Sequence, residues 1–190
     1  MEVLNEFIMN LLNMLGSFGA LVGCVFILFE SILPMLPLSL FITLNFLTFG
    51  SLFGFLISYV FTVLGCMMSY YIFRSIVSEK RLNKFKENTT LLKVINVIEN
   101  MSFSSLVLLI AIPFTPAFAV NIASGICRID KKRFLCALMI GKISLIYFWG
   151  YVGVNLVEAL TKPVILIKVV IVVSIVYIIS YVLSKKLKIK

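Results

Sequence analysis

The chain contains no histidine, which removes the commonest metal ligand and the commonest general base. Its four cysteines, Cys24, Cys66, Cys127 and Cys136, stand far apart in apolar sequence and form no CxxC pair. Neither a zinc site nor a disulfide framework is expected, and the thiols read as small apolar packing groups. Isolated serines such as Ser124 have no histidine partner, and no acid/base pair or activated nucleophile is evident. The expectation is a protein that is not an enzyme and needs no metal or cofactor. Charge is almost absent over long stretches. Between Phe7 and Phe73 the one charged side chain is Glu30, and Met101 to Cys127 carries none. The opening MEVLNEFIMNLLN lacks the basic segment and small-residue cleavage site of a signal peptide, so it is expected to stay on the mature chain.

What is present is hydrophobic sequence. With 62% hydrophobic residues and a mean hydropathy of +1.14, the chain lies outside the range of soluble domains, and its long apolar runs imply several membrane passages. The net charge of +9 falls in three basic clusters beside hydrophobic segments: Arg74 to Lys93, RIDKKR (Arg128 to Arg133), and the tail KKLKIK. Such clusters mark cytoplasmic loops and a cytoplasmic C-terminus of a multi-pass cell-membrane protein. They suit contacts with anionic headgroups and argue against a nucleic-acid partner.

If both ends of Met101–Cys127 meet cytoplasmic clusters, that segment must turn back inside the bilayer. Its centre reads IPFTP, where Pro113 and Pro116 stop a helix. The arms 101–112 and 117–127 would each run about 16–18 Å, roughly half of a ~30 Å hydrocarbon core. Non-helical backbone at that depth requires a protein-lined or wet interior. FESILPMLPLSL, from Phe29, reads the same way: residues around 20–33 form one arm, Pro34 and Pro37 the break, and 38–49 the other arm. Because Leu52–Phe73 ends at a cytoplasmic cluster, this first hairpin enters from outside.

Each hairpin has an amphipathic prelude, 5–18 and 89–100, suited to an interfacial helix; for 5–18 the start of an ordinary spanning helix is an alternative. The expected fold is all-α and polytopic, an inverted repeat within a single membrane domain, 1–190. Each repeat holds an amphipathic helix, a re-entrant hairpin and a transmembrane helix. Repeat 1 covers 1–74, a basic loop 74–88, repeat 2 covers 88–157, and a C-terminal transmembrane helix 163–184. Inverted repeats with paired broken segments characterise secondary transporters.

Three ionisable groups fall within the proposed spans: Glu30, Lys142 and Lys168. Glu30 and Lys142 both approach the midplane and are expected to meet or to share a hydrated cavity. They would serve either in transport and coupling or as a buried pair that fixes hairpin packing. Lys168, near the start of its helix, is expected to snorkel to the outer interface. Asn45 and Asn121 follow the breaks and suit either freed backbone groups or a headgroup. Thr115 and the start of the second arm, TPAFAV, offer a positive helix end to an anion. Gly54, Ser58, Thr62, Gly65 and Ser69 form a small-residue stripe for close helix packing. Tyr147, Trp149 and Tyr151 fit an interfacial aromatic belt.

ESILPMLPLSLFITLNFLTFGSLFGF, IPFTPAFAVNIASG and the basic loop before FLCALMIGKISLIYFWGYVG resemble the SNARE-associated Golgi protein superfamily, whose VTT domain also defines the DedA family. The resemblance covers about 15–157. It implies two re-entrant hairpins, movement of phospholipid or polyprenyl phosphate in the manner of a flippase or scramblase, and, in the DedA branch, dependence on protons. Glu30 matches the acidic residue before the first break that this branch is thought to use in proton coupling. The branch also tends to carry arginines three positions either side of the second hairpin's leading proline; here those positions are Ile110 and Pro116. Alternatives are a proton-coupled transporter of a small solute and a non-transporting membrane organiser or assembly factor.

Overall fold

A computed structural model describes residues 23–31, 37–77, 98–114, 117–159 and 162–186. The amphipathic segment 5–18, most of 89–100, and Pro34, Thr115 and Pro116 lie outside the described residues. Among the described residues all regular structure is helical: α1 (23–30), α2 (Leu38–Ile76), α3 (Phe103–Ala111), α4 (Ala117–Ile126), α5 (Lys131–Ala159) and α6 (Pro163–Lys186). α2, α5 and α6 each contain a stretch long and apolar enough to cross a membrane.

α2 is two helices. Gly50 adopts φ 76° and ψ 174°, a backbone conformation open to glycine and strained for any residue with a Cβ. It separates an arm, 38–49, from a spanning helix, 51–76. The arm runs about 18 Å at 1.5 Å per residue and the spanning helix about 39 Å. The two fold back on each other so closely that a Cβ at Gly54 would lie 2.5 Å from the Asn45 carbonyl oxygen. The boundary expected between the first hairpin and its following helix is therefore set by one glycine.

The second hairpin is built from shorter helices whose ends have local causes. Ser102 starts α3 by accepting a hydrogen bond from the Ser105 N–H at 3.1 Å, the usual service of an N-cap serine. Ile112 precedes Pro113 and is extended, φ −71° and ψ 118°, as the proline ring requires of its predecessor; α3 stops there. α4 closes with a Schellman turn: Arg128 N–H bonds the Gly125 carbonyl at 3.1 Å and Ile129 N–H the Ser124 carbonyl at 3.1 Å. Arg128 takes the left-handed conformation, φ 52°. Asp130 then caps α5, its Oδ1 accepting from the Arg133 N–H at 2.9 Å. With 9 and 10 residues, α3 and α4 are each about 14–15 Å long, half of what a crossing needs.

α5 is the central element, packing against α2, α3 and α6, while α4 lies on α2. Lipid offers no hydrophobic gain for helix association, so close approach and interhelical hydrogen bonds must hold the bundle. Glycines supply the approach. A Cβ at Gly125 would meet the Tyr70 carbonyl oxygen at 2.6 Å, and one at Gly141 the Ile110 side chain at 2.8 Å. Gly54, Ser58, Thr62, Gly65 and Ser69 are all buried, so the stripe is a packing face. α6 is peripheral: Val169 packs on Phe148 and Val152, and most of the helix, Lys168 included, is exposed.

Candidate functional site

The ends of the hairpin arms and the two spanning helices enclose a layer of buried polar groups. Glu30 and Ser31 come from the end of α1, Asn45, Ser58 and Thr62 from α2, Asn121 and Ser124 from α4, and Lys142 from α5. α1 is seated by Gly65, where a Cβ would lie 2.6 Å from Ser31 Oγ and 3.2 Å from Leu28 Cα. Substituting any larger residue there would push the acidic end of the arm outward.

Cross-links within the layer join the two repeats. Asn121 Nδ2 donates to the Ser31 carbonyl at 3.5 Å: a residue of the second hairpin thus bonds the backbone where the first hairpin's leading arm ends. Asn45 does something else. Its Nδ2 donates to the Ser58 hydroxyl at 3.0 Å, across the close approach at Gly54, so its described bond is to a side chain rather than to freed backbone. Replacing Asn121 with leucine removes the inter-repeat bond and should lower thermal stability in detergent by about 1 kcal/mol, the scale of buried interhelical hydrogen bonds. An unchanged melting temperature would mean that the bond carries no weight.

Glu30 is 9% exposed and Lys142 1%. Lys142 stands 11 residues into α5, about 17 Å along its axis, well inside the bundle. The two charges act on one another, but no hydrogen bond joins them, because Lys142 Nζ has no hydrogen-bond partner among the described residues. They occupy one interior without the direct contact that is one of the two arrangements expected from the sequence. The hydroxyls of Thr62, Ser69 and Ser124 are likewise buried without a partner among the described residues.

Beside this layer, on the seam between α2 and α5, lies a groove of about 480 Å³. Phe46, Leu52 and Phe55 line one wall and Ile143, Ser144 and Tyr147 the other. Its lining is hydrocarbon and aromatic, and Ile143 and Ser144 directly follow Lys142 in the chain.

The bundle's basic end is laced by arginines. Tyr70 Oη donates to the Ile129 carbonyl at 2.6 Å, Arg74 Nη1 donates to the same carbonyl at 3.0 Å, and Arg74 also bonds the Tyr70 hydroxyl. Arg133 donates to the Met101 carbonyl. In the sequence these arginines look like loop charges. The available signal was residue type: a guanidinium at the edge of an apolar segment can serve several carbonyl acceptors at once, which a lysine cannot do in that fixed geometry.

Phe114, at the described end of the second hairpin's first arm, packs edge-on to Phe148, Trp149 and Tyr177, with ring centroids 6.2, 6.0 and 5.5 Å away. Trp149 is therefore half-buried in an internal aromatic cluster, whereas Tyr147 is 65% exposed and suits the belt expected of it. Ile110, where the resemblance sought an arginine, is buried against Gly141.

Taken together, these features define a polytopic helical membrane protein with paired short-armed hairpins around a buried polar layer. The VTT domain matches residues 36–155, spanning the arm at 38–49 through most of α5. The chain belongs to this VTT-domain family, within the SNARE-associated Golgi protein and DedA superfamily. It is 30% identical over 159 residues to the uncharacterized membrane protein YhjE of Bacillus subtilis (strain 168), a match covering 84% of this chain and 77% of the relative. No solved structure matches.

Proposed function

We propose that this protein moves lipids across the cell membrane in the manner of a flippase or scramblase, the headgroup passing through the polar layer while acyl tails stay in the bilayer. The observation that carries the reading is the buried layer from Glu30 to Lys142 between two hairpins too short to span, flanked by an apolar groove. A headgroup has somewhere polar to go and a tail somewhere apolar beside it. Half-length arms also leave only a short barrier at their ends, which suits a headgroup better than a fully enclosed solute. The basic end would face the cytoplasm, where its lysines and arginines meet anionic headgroups. The protein would act without covalent chemistry, and phospholipid or polyprenyl phosphate is the substrate class.

Glu30 favours a second reading, coupling of the movement, or of small-solute transport, to protons, because a carboxyl buried at such depth usually serves a pathway. Reconstitution into liposomes with labelled phospholipid or polyprenyl phosphate separates the cases. Lipid movement without a proton gradient supports scrambling, and gradient dependence supports coupling. An absence of movement with correctly folded protein sinks the transport reading and leaves a membrane organiser. Under the coupled reading Glu30→Gln slows movement by about tenfold or more, equivalent to ~1.4 kcal/mol, at an unchanged melting temperature. Unchanged movement with lowered stability would make Glu30 a packing residue.

A further inference from the structure

We propose that Tyr59 is the floor of the groove between α2 and α5 and sets the length of hydrocarbon chain that the groove accepts. The proposal rests on the lipid-transport reading above and adds a determinant of which lipid is held. The groove opens on the outer face of the bundle. Leu52, Ile143 and Tyr147 on its walls are all exposed, on helices long and apolar enough to span the membrane. None of its lining residues carries a charge. A recess of that kind, facing hydrocarbon, is filled by a chain from a membrane lipid, because an empty one gives up van der Waals contact along every wall.

Helical spacing carries the two walls toward the basic end. Leu52, Phe55 and Tyr59 follow at three- and four-residue intervals on α2, and Tyr147, Ile143 and Met139 at four-residue intervals on α5. Past Phe55 and Ile143 the recess stops. There the Tyr59 hydroxyl donates to the Met139 carbonyl at 2.8 Å. The Tyr59 ring stacks on Phe55, with centroids 5.9 Å apart and planes 12° from parallel. One contact fixes the tip of the side chain and the other its ring, so the phenol lies across the seam from α2 to α5. The acceptor is a main-chain carbonyl with a lone pair to spare beyond its helical bond, and a hydroxyl facing lipid has no water to bond instead. A chain entering from the Tyr147 end therefore meets the ring and must turn away into the bilayer. Removing the ring would open four more residues of seam, about 6 Å.

The test uses the full-length chain in maltoside micelles holding an equimolar set of lysophosphatidylcholines, from decanoyl to stearoyl. Native mass spectrometry reads which chain stays bound. The lipids share one headgroup and all start from micellar hydrocarbon, so the bound distribution reports fit. Wild-type protein is expected to favour an intermediate length and to hold the longest about tenfold less, as overfilling of a bounded site implies. Tyr59→Ala should move the maximum to longer chains, whereas Tyr59→Phe, which keeps the ring and loses the brace, should stay at the wild-type maximum. A purely bracing role would lower the melting temperature of both variants and leave the maximum in place, which overturns the floor. A wild-type distribution without a maximum does the same. Ser144→Trp fills the groove and should weaken binding at every length by about tenfold; undiminished binding puts the lipid elsewhere and sinks the proposal. Should Tyr59→Ala not fold, Tyr59→Val takes its place, and an unmoved maximum there is equally fatal. Length selection without lipid flux in liposomes removes the transport reading and leaves the floor. Flux with an unmoved maximum does the reverse.

Discussion

Gly54→Val should yield essentially no folded protein. The hydrogen at Gly54 Cα faces the backbone of the preceding arm: an added Cβ would stand 2.5 Å from the Asn45 carbonyl oxygen and 2.7 Å from both the Asn45 carbonyl carbon and Phe46 Cα. Overpacking costs typically 1–3 kcal/mol where side chains can shift. Here the obstacle is main chain, so the loss should exceed about 3 kcal/mol, a large share of a stability that for proteins generally is only about 5–15 kcal/mol. The same clash would separate Asn45 from Ser58 and break their 3.0 Å hydrogen bond. Size-exclusion of the detergent-solubilised variant decides the matter, and a monodisperse peak with wild-type melting would refute the packing account. Gly50→Ala is the matched control. Nothing lies within 4 Å of a Cβ there, so its cost is backbone strain alone, about 1–3 kcal/mol, and folded protein should survive.

Arg74→Ala is expected to be the most damaging charge substitution at the basic end, at about 2–3 kcal/mol, the scale of hydrogen bonds to charged groups. The guanidinium bonds both the Ile129 carbonyl and the Tyr70 hydroxyl, and Tyr70 is fully buried. Removing it loosens the Schellman turn that ends α4 from the spanning helix of α2. Arg74→Lys should recover less than half of the loss, because an ammonium lacks the planar fork. Tyr70→Phe removes a second donor to the same carbonyl, so the double variant should be non-additive. Thermal melts of the four proteins measure the coupling, and simple additivity would show that Arg74 and Tyr70 act separately.

Much of this architecture was legible because prolines, glycines and charge-free runs have direct backbone consequences. The arms 101–112 and 117–127 correspond to α3 and α4 within a residue or two, since Pro113 and the basic loop delimit them. The arm 38–49 was legible from its length, although the physical reason for its end, the left-handed Gly50, shows only in the backbone. The final helix runs to Lys186, two residues beyond the expected 184, because lysines at a helix C-terminus continue it favourably. Glu30 and Lys142 stood out as charges in apolar sequence. Their separation, and the absence of a hydrogen bond to Lys142, depend on helix rotation that hydropathy does not encode. Least legible were the partners of Arg74, Arg133 and Trp149, because each contacts an element far away in sequence. A near-uniform hydrophobic pattern carries little information on which face of a helix meets which neighbour.

The inverted repeat is not mechanically even. At one end of the bundle, Tyr70, Arg74 and Arg133 tie two spanning helices to the second hairpin through three hydrogen bonds to two carbonyls, those of Ile129 and Met101. At the other, the turn at Gly50 has empty space where a Cβ would stand. One rim is therefore clamped by hydrogen bonds, and the other carries a turn with open space beside it. The pseudo-symmetry of the topology does not extend to the way its two ends are held.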